Sequence, residues 1–201
     1  MSPIPKRSPE ARFWKWFTEQ ESQLFAFETN QERNISELLQ ELHRINESLT
    51  FEIGSETEGI REFIISADGH RDVFPFVIRL ADAAPPLPRW RIVKFRPRRT
   101  DPCLIGLGDL QFSSDDNLAT LKPQGTRIGV SLFLGDEDHF DERVVGHIGF
   151  LLLDYTLGEY DVETLVGTVS FHPKGRSTRL TKLPLRDLPL AFDQLTRSLA
   201  N

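Results

Sequence analysis

The stretch REFIISADG, from Arg61 to Gly69, runs from an apolar segment into an aspartate and a glycine. An apolar run bounded by such turn residues predicts a β-strand that ends in a tight turn. The stretch RIGVSLFLGDED, from Arg127 to Asp138, has the same organisation, and an amphipathic helical pattern follows each stretch. A further strand pattern then ends in Phe-x-Pro in both places, at Phe95 to Pro97 and at Phe171 to Pro173. The sequence therefore predicts that one structural unit is used twice.

Each copy is expected to consist of a hairpin, a helix that crosses the sheet and a returning strand, which together make a ββαβ unit. The first copy is expected to have strands at Leu49 to Ile53, Glu62 to Ala67 and Trp90 to Phe95, with a helix from Val73 to Ala84. The second is expected to have strands at Leu104 to Phe112, Arg127 to Leu134 and Glu163 to Phe171, with a helix at 139–157. We therefore expect an α+β fold: a mixed, largely antiparallel sheet from two pseudo-repeated ββαβ units, with flanking N-terminal and C-terminal helices.

The chain is expected to form a single compact domain over residues 1–201. Its expected parts are a loose tail at 1–8, a first half at 9–97, an irregular connection at 98–126 and a second half at 127–201. Ser8 before Pro9 predicts the start of a first helix, and Asn34 with Glu37 resembles a capping box that would start a second. The segments SSDDN and KPQG predict turns, and Leu183 to Leu199 predicts a closing helix.

Composition excludes several classes of protein. The net charge of −6 opposes general binding to nucleic acid, because the phosphate backbone is also negative. The single cysteine, Cys103, excludes an internal disulfide and a cysteine metal cluster. No run approaches the roughly 18 apolar residues that a membrane-spanning helix needs. The N-terminus lacks the apolar core of a signal peptide, so a cytoplasmic location is expected.

Three segments resemble those of a family of uncharacterised bacterial proteins. They are EFIISADG (Glu62 to Gly69), PRWRIVKFRPR (Pro88 to Arg98) and LGEYDVET (Leu157 to Thr164). The likeness covers most of the chain from Trp14 onward. The resemblance implies a bacterial source and a single compact domain, and it brings no catalytic residue with it.

The most concentrated positive charge lies at the end of the third expected strand. Alternate residues of a strand share a face, so Lys94, Arg96 and Arg98 are expected on the same side as Trp90. Guanidinium groups beside an aromatic ring can hold a carboxylate or a phosphate. The partner- or anion-binding residues are therefore predicted to be Trp90, Lys94, Arg96, Arg98 and Arg99. The alternative is that these cations neutralise an acidic body or protect an edge strand.

Two strand-to-helix turns carry residues that are also suited to catalysis or metal binding. Asp68 and His70 follow one strand, and Asp136 and His139 follow the other. A metal-dependent or hydrolytic enzyme could use these four residues if both turns met in one pocket. The alternatives are a simple turn at the first site and carboxylates that stabilise a helix start at the second. The sequence assigns no catalytic residue, metal ligand or cofactor.

The sequence favours a non-catalytic module that binds another macromolecule, such as a regulator or an immunity-type inhibitor. Its expected partner is a protein with an acidic surface, captured by electrostatic steering and arginine–carboxylate pairs. A small-molecule site between the two halves is a further alternative. Neither the oligomeric state nor the strand order follows from the sequence.

Overall fold

The computed structural model describes residues 8–99, 101, 104–107, 110–113, 115–135 and 141–200. The chain divides into two compact units, which we call unit 1 (Met1–Arg96) and unit 2 (Pro97–Asn201). Each unit has its own sheet and its own cluster of buried apolar residues.

Unit 1 combines four helices with a three-stranded sheet. The helices are α1 (Pro9–Glu19), α2 (Glu21–Phe25), α3 (Gln31–His43) and α4 (Phe74–Asp82), and the strands are β1 (Thr50–Ile53), β2 (Arg61–Ser66) and β3 (Trp90–Lys94). The predicted start of α1 is confirmed, because the Ser8 hydroxyl accepts a hydrogen bond from the Ala11 amide at 3.1 Å.

The sheet of unit 1 has the order β1-β2-β3, with β1 antiparallel and β3 parallel to β2. Phe63 on β2 lies at the centre of its core, with ring centroids 5.0 Å from Phe17 and 6.1 Å from Phe13 of α1. Trp14 of the same helix donates its indole N–H to the carbonyl of Leu80 on α4 at 2.7 Å. These contacts join α1 to both the sheet and the crossing helix.

Unit 2 contains a two-stranded hairpin, a four-stranded sheet and three helices. Its elements are β4 (Leu104–Leu107), β5 (Leu110–Ser113), β6 (Leu118–Gln124), β7 (Arg127–Phe133), α5 (Glu142–Leu157), α6 (Glu159–Leu165), β8 (Val166–His172), β9 (Leu183–Pro184) and α7 (Leu188–Leu199). The larger sheet has the order β8-β7-β6-β9, in which β8 is parallel to β7 and the other pairs are antiparallel. Val130 and Leu132 of β7 share a core with Leu152 of α5 and Phe192 of α7.

The α+β class is confirmed. Each unit also contains the expected order of an antiparallel strand pair, a helix and a strand parallel to the second. The strands of the two units, however, lie in separate sheets and not in one common sheet. Each sheet already packs its apolar residues into the core of its own unit, so burial does not require a joint sheet. The internal pseudo-repeat and a single domain over 1–201 both stay predictions.

The prediction that the segment Leu104 to Phe112 forms the hairpin with β7 is wrong. The partner of β7 is β6, and the segment Leu104 to Phe112 forms a separate hairpin of its own. The KPQG segment, expected as a turn, contributes three residues to β6, and the turn follows at Gly125 with φ +64°. Pro123 is tolerated because β9 pairs only with Leu118 and Ala119, which leaves the proline where β6 has one neighbour.

Three expected element boundaries also differ. The strand expected from Glu163 begins only at Val166, because Gly158 (φ +84°) ends α5 and carboxylates in the next turn favour a new helix, α6. The closing helix begins at Leu188, after the short strand β9. Helix α3 begins at Gln31, so Asn34 is an interior residue and not a cap. Its buried amide accepts from Gln23 and donates to the carbonyl of Phe27, which explains a polar residue at that position.

Candidate functional site

Trp90 belongs to the core of unit 1. Its side chain is only 7% exposed, and its ring meets those of Phe17 and Phe25 edge-on with centroids 5.1 and 5.7 Å away. Its indole N–H donates to a carboxylate oxygen of Glu21 at 3.0 Å. The ring therefore holds α1 and α2 against β3, and no broad face of it is left to stack on a partner.

The expected alternation of cations stops at the end of β3. Phe95 has φ +62°, which turns the chain out of the extended conformation directly after Lys94. Its ring is buried against Phe74 with centroids 4.4 Å apart, and its amide donates to the carbonyl of Ile65. Burial of this phenylalanine outweighs the strain of a left-handed residue. Arg96 therefore lies outside the strand, and Arg98 belongs to unit 2.

The cations along β3 are neutralised within unit 1. Arg96 bonds Glu52 at 2.6 Å and Asp68 at 3.0 Å, and the ammonium of Lys94 lies 2.5 Å from Asp82. The two preceding arginines pair with carboxylates in the same way, Arg89 with Glu21 and Arg91 with Glu62. These four cations thus form ion pairs with five carboxylates. The alternative interpretation, that these residues balance an acidic body, describes the local charge well.

Arg98 ties together three elements of unit 2. It donates to the last carbonyl of α5, that of Leu157, at 2.6 Å, to Asp161 of α6 at 2.6 Å and to both oxygens of Asp193 of α7. Desolvation opposes its charge, but the hydrogen bonds that Arg98 donates to Asp193 and Asp161 outweigh that cost and raise the pKa of Arg98. Arg99 donates its backbone N–H to the carbonyl of Tyr155 at 2.8 Å. Both residues thus have a structural use.

The first of the two turns that the enzyme alternative would use is a hydrogen-bonded structural turn. Asp68 and Gly69 have φ of +50° and +78°, which is the geometry of a type I′ turn. The buried hydroxyl of Ser66 accepts from the Asp68 amide at 3.0 Å, and His70 is exposed. The second turn, with Asp136 and His139, lies outside the described residues, as does Cys103.

Metal ligation has no support in the part of the chain that the structure describes. In those residues, no three histidine, cysteine, aspartate or glutamate side chains come together as a possible metal site. Asp141 follows the acidic cluster and caps α5, since its carboxylate accepts from the amides of Arg143 and Val144. Asp141 therefore agrees with the alternative that the carboxylates of this turn stabilise the start of a helix.

Unit 2 contains a polar cluster around His172 that the sequence did not indicate. The Ser170 hydroxyl on β8 lies 2.9 Å from that of Ser131 on β7 and 3.2 Å from Nε2 of His172. Desolvation lowers the pKa of His172, and the charges of Arg176 and Lys182 lower it further. The alternation of Ser170 and His172 along a strand was the available signal. The approach of Ser131 depends on register, which the sequence does not show.

This cluster does not form a catalytic triad with any residue that the structure describes. A triad needs a carboxylate on the second ring nitrogen of the histidine, and none is bonded there among the described residues. The nearby Lys182 ammonium donates to the carbonyls of Lys174 and Arg176 and lies 4.0 Å from the Phe133 ring centroid. The cluster is best understood as a hydrogen-bonded link between two strands.

Searches against protein-family models, curated proteins and solved structures each find no match. Within the described segments, no helix combines the length and apolar character needed to cross a membrane.

Proposed function

We propose that this protein is a binding module that takes an extended, acidic segment of a protein partner along β3 of unit 1. In its host it would act as a regulator or an immunity-type inhibitor. A bacterial source and the family suggested by the three segments belong to this same proposal. The observation that carries it is the position of β3 at the end of the strand order β1-β2-β3.

An edge strand offers backbone N–H and C=O groups to an added strand. Among the described strands, β3 pairs with β2 alone. Its side chains suit such an addition, because Ile92 and Val93 are half-buried while Arg91 and Lys94 are exposed. A partner strand would gain main-chain hydrogen bonds from the edge and apolar contacts from the two central residues.

The ion pairs along β3 are compatible with an acidic partner. The side chains of Arg91 and Lys94 are 67% and 41% exposed, and each pairs with a single carboxylate, Glu62 and Asp82 respectively. An exposed ion pair contributes about 0–1 kcal/mol, so exchanging one carboxylate for another costs little. Arg96 and Arg98 are less suitable, because each bonds two carboxylates of its own unit and Arg98 is 30% exposed.

The test is charge reversal at the two exposed cations. Arg91→Glu with Lys94→Glu should weaken binding of a short peptide of alternating glutamate and valine by about tenfold or more, measured by fluorescence anisotropy. The wild-type protein should show peptide-induced protection of the β3 amides in hydrogen exchange. Affinity capture from the host should show the same loss.

The matched control reverses two exposed cations on helices of the same unit, Lys15→Glu and Arg33→Glu. Both residues are likewise held by single carboxylates, Glu19 and Glu37. This control changes the net charge of the protein by the same amount and should retain peptide binding. Equal losses in both double variants, or protection that avoids β3, would exclude a site on this strand.

A further inference from the structure

A pocket of about 370 Å³ lies between the start of α1 and the end of α3 in unit 1. It is lined by Pro9, Arg12, Phe13, Glu41 and Arg44. Its volume falls within the range of small-molecule sites, roughly 300–1,000 Å³. Phe13 is 1% exposed and anchored in the core, so this part of the wall is rigid.

The charges in this pocket are arranged differently from those along β3. Arg44 donates to Glu41 at 2.5 Å, which fixes one edge of its guanidinium. Among the described residues, the guanidinium of Arg12 has neither a hydrogen bond nor an ion pair. Most other described cations of the unit are paired with a carboxylate: Lys15, Arg33, Arg61, Arg79, Arg89, Arg91, Lys94 and Arg96. Among its described lining residues, the pocket therefore holds two guanidinium groups and one carboxylate.

A shallow depression adjoins the pocket along α3. It shares Arg44 and is otherwise lined by Ser36, Leu39, Gln40 and His43. Hydroxyl, amide and imidazole groups can bond the hydroxyls of a polar small molecule. The pocket and the depression together would bind a small molecule that has an anionic group at one end and a polar remainder.

We propose that unit 1 binds a small phosphate monoester, with the phosphate between Arg12 and Arg44 and the polar body over α3. Planar guanidinium groups match the oxygens of phosphate in bidentate hydrogen bonds. Glu41 holds Arg44 in place before binding, which reduces the entropy lost on association. This site is separate from β3, so it stands or falls independently of the proposed strand addition.

The experiment is a titration of the full chain with glucose 6-phosphate, followed by amide NMR at constant ionic strength. Saturable shifts are expected at Arg12, Phe13 and Arg44, and inorganic phosphate should bind more weakly because it lacks a polar body. Arg12→Gln should weaken glucose 6-phosphate binding by about tenfold. Arg12 is exposed, so this variant should keep the fold.

Arg33→Gln is the control, since Arg33 is an exposed arginine of α3 that lies outside the pocket. It should leave the affinity unchanged. Three results would overturn the proposal: no saturable shift at these residues, equal weakening by both variants, or equal affinity for inorganic phosphate and glucose 6-phosphate.

Discussion

Two glycines one turn apart on α5 differ in what a methyl group would meet. A Cβ atom on Gly149 would lie 2.1 Å from a ring carbon of Phe171, whereas one on Gly146 would lie 3.7 Å from the same ring. The second distance is an ordinary contact and the first is a clash. The Phe171 ring also packs edge-on against Phe150, with centroids 5.5 Å apart, so it cannot move without losing that contact.

We expect Gly149→Ala to destabilise the protein by about 1–2 kcal/mol, because overpacking outweighs the gain in helix propensity. Gly146→Ala is the control and should stabilise by about 0.5–1 kcal/mol, because alanine loses less backbone entropy. Urea unfolding of both variants measures the difference. Phe171→Leu should make alanine at 149 tolerable; equal effects of the two alanines would contradict this packing.

Glycines in the interior of a helix indicate close packing by a second element. The approach of Phe171 to Gly149 agrees with that interpretation. The positions of Trp90 and Phe95 were harder to infer. The sequence around an aromatic residue beside arginines is the same whether its ring faces a partner or the core. The positive φ of Phe95 is unusual for a bulky residue, so the local sequence does not indicate it.

At the scale of elements, one side chain bridges an irregularity between β7 and β8. The register of the two strands shifts between Ile128 and Val130, which interrupts the regular pairing. Gln124 of β6 reaches across Gly129, accepts from the Thr168 amide at 3.0 Å and donates to its hydroxyl at 2.7 Å. A Cβ atom on Gly129 would lie 2.6 Å from the Gln124 amide nitrogen, so a side chain at this position would displace the glutamine amide.

Gln124→Ala should cost about 0.5–1.5 kcal/mol, because it removes two hydrogen bonds at an exposed site. Hydrogen exchange of the Thr168 amide should accelerate, while the amides of Ser170 and Phe171 keep their protection. Gln194→Ala, at an exposed position on α7, serves as the control. Unchanged exchange at Thr168 would show that water replaces the glutamine without loss.

The sequence predicted both strand–helix–strand crossovers, but it misplaced the hairpin partner of β7. Strong apolar runs such as Phe63 to Ile65 identify buried strands without further information. The strand pattern of β6 is weaker in the sequence, because it contains Lys122 and Pro123. This segment is a strand because it pairs with β7. Such a strand is decided by contacts distant in sequence, which local pattern does not reveal.

For the candidate site, the sequence located the cations but not their partners. Arg98 bonds Asp193, which is 95 positions away along the chain. Arg12 and Arg44 line one pocket only because α1 and α3 bring them together. Charge density along the sequence therefore identified a basic stretch. The neutralisation of that stretch, and the lack of a partner for the Arg12 guanidinium among the described residues, both depend on tertiary structure.

At the scale of the whole molecule, 30 acidic and 24 basic residues make stability depend on pH. Several carboxylates have a lowered pKa; for Glu21, the main cause is a hydrogen bond from Arg89. A carboxylate of this kind stabilises the fold above its unfolded pKa of about 4.3, and the contribution is lost in acid. Its contribution to stability therefore changes little between about pH 5 and pH 7.

His172 affects the stability of the fold between about pH 5 and pH 7. Its pKa is lowered in the folded state, first by desolvation and then by Arg176 and Lys182, so the unfolded chain binds this proton more readily. Stability should therefore be unaffected above the unfolded pKa of about 6.5 and fall as the pH drops below it, until the folded state is also protonated.

Urea midpoints of the wild type should decline between about pH 7 and pH 5, and His172→Gln should reduce that decline. His147→Gln removes an exposed histidine from α5 and should leave the decline as it is. Lys182→Gln should also reduce the decline, because it removes one of the charges that oppose protonation. If the urea midpoints of His172→Gln and the wild type decline equally with falling pH, a different group controls stability in this range. The environment assigned to this imidazole would then be incorrect.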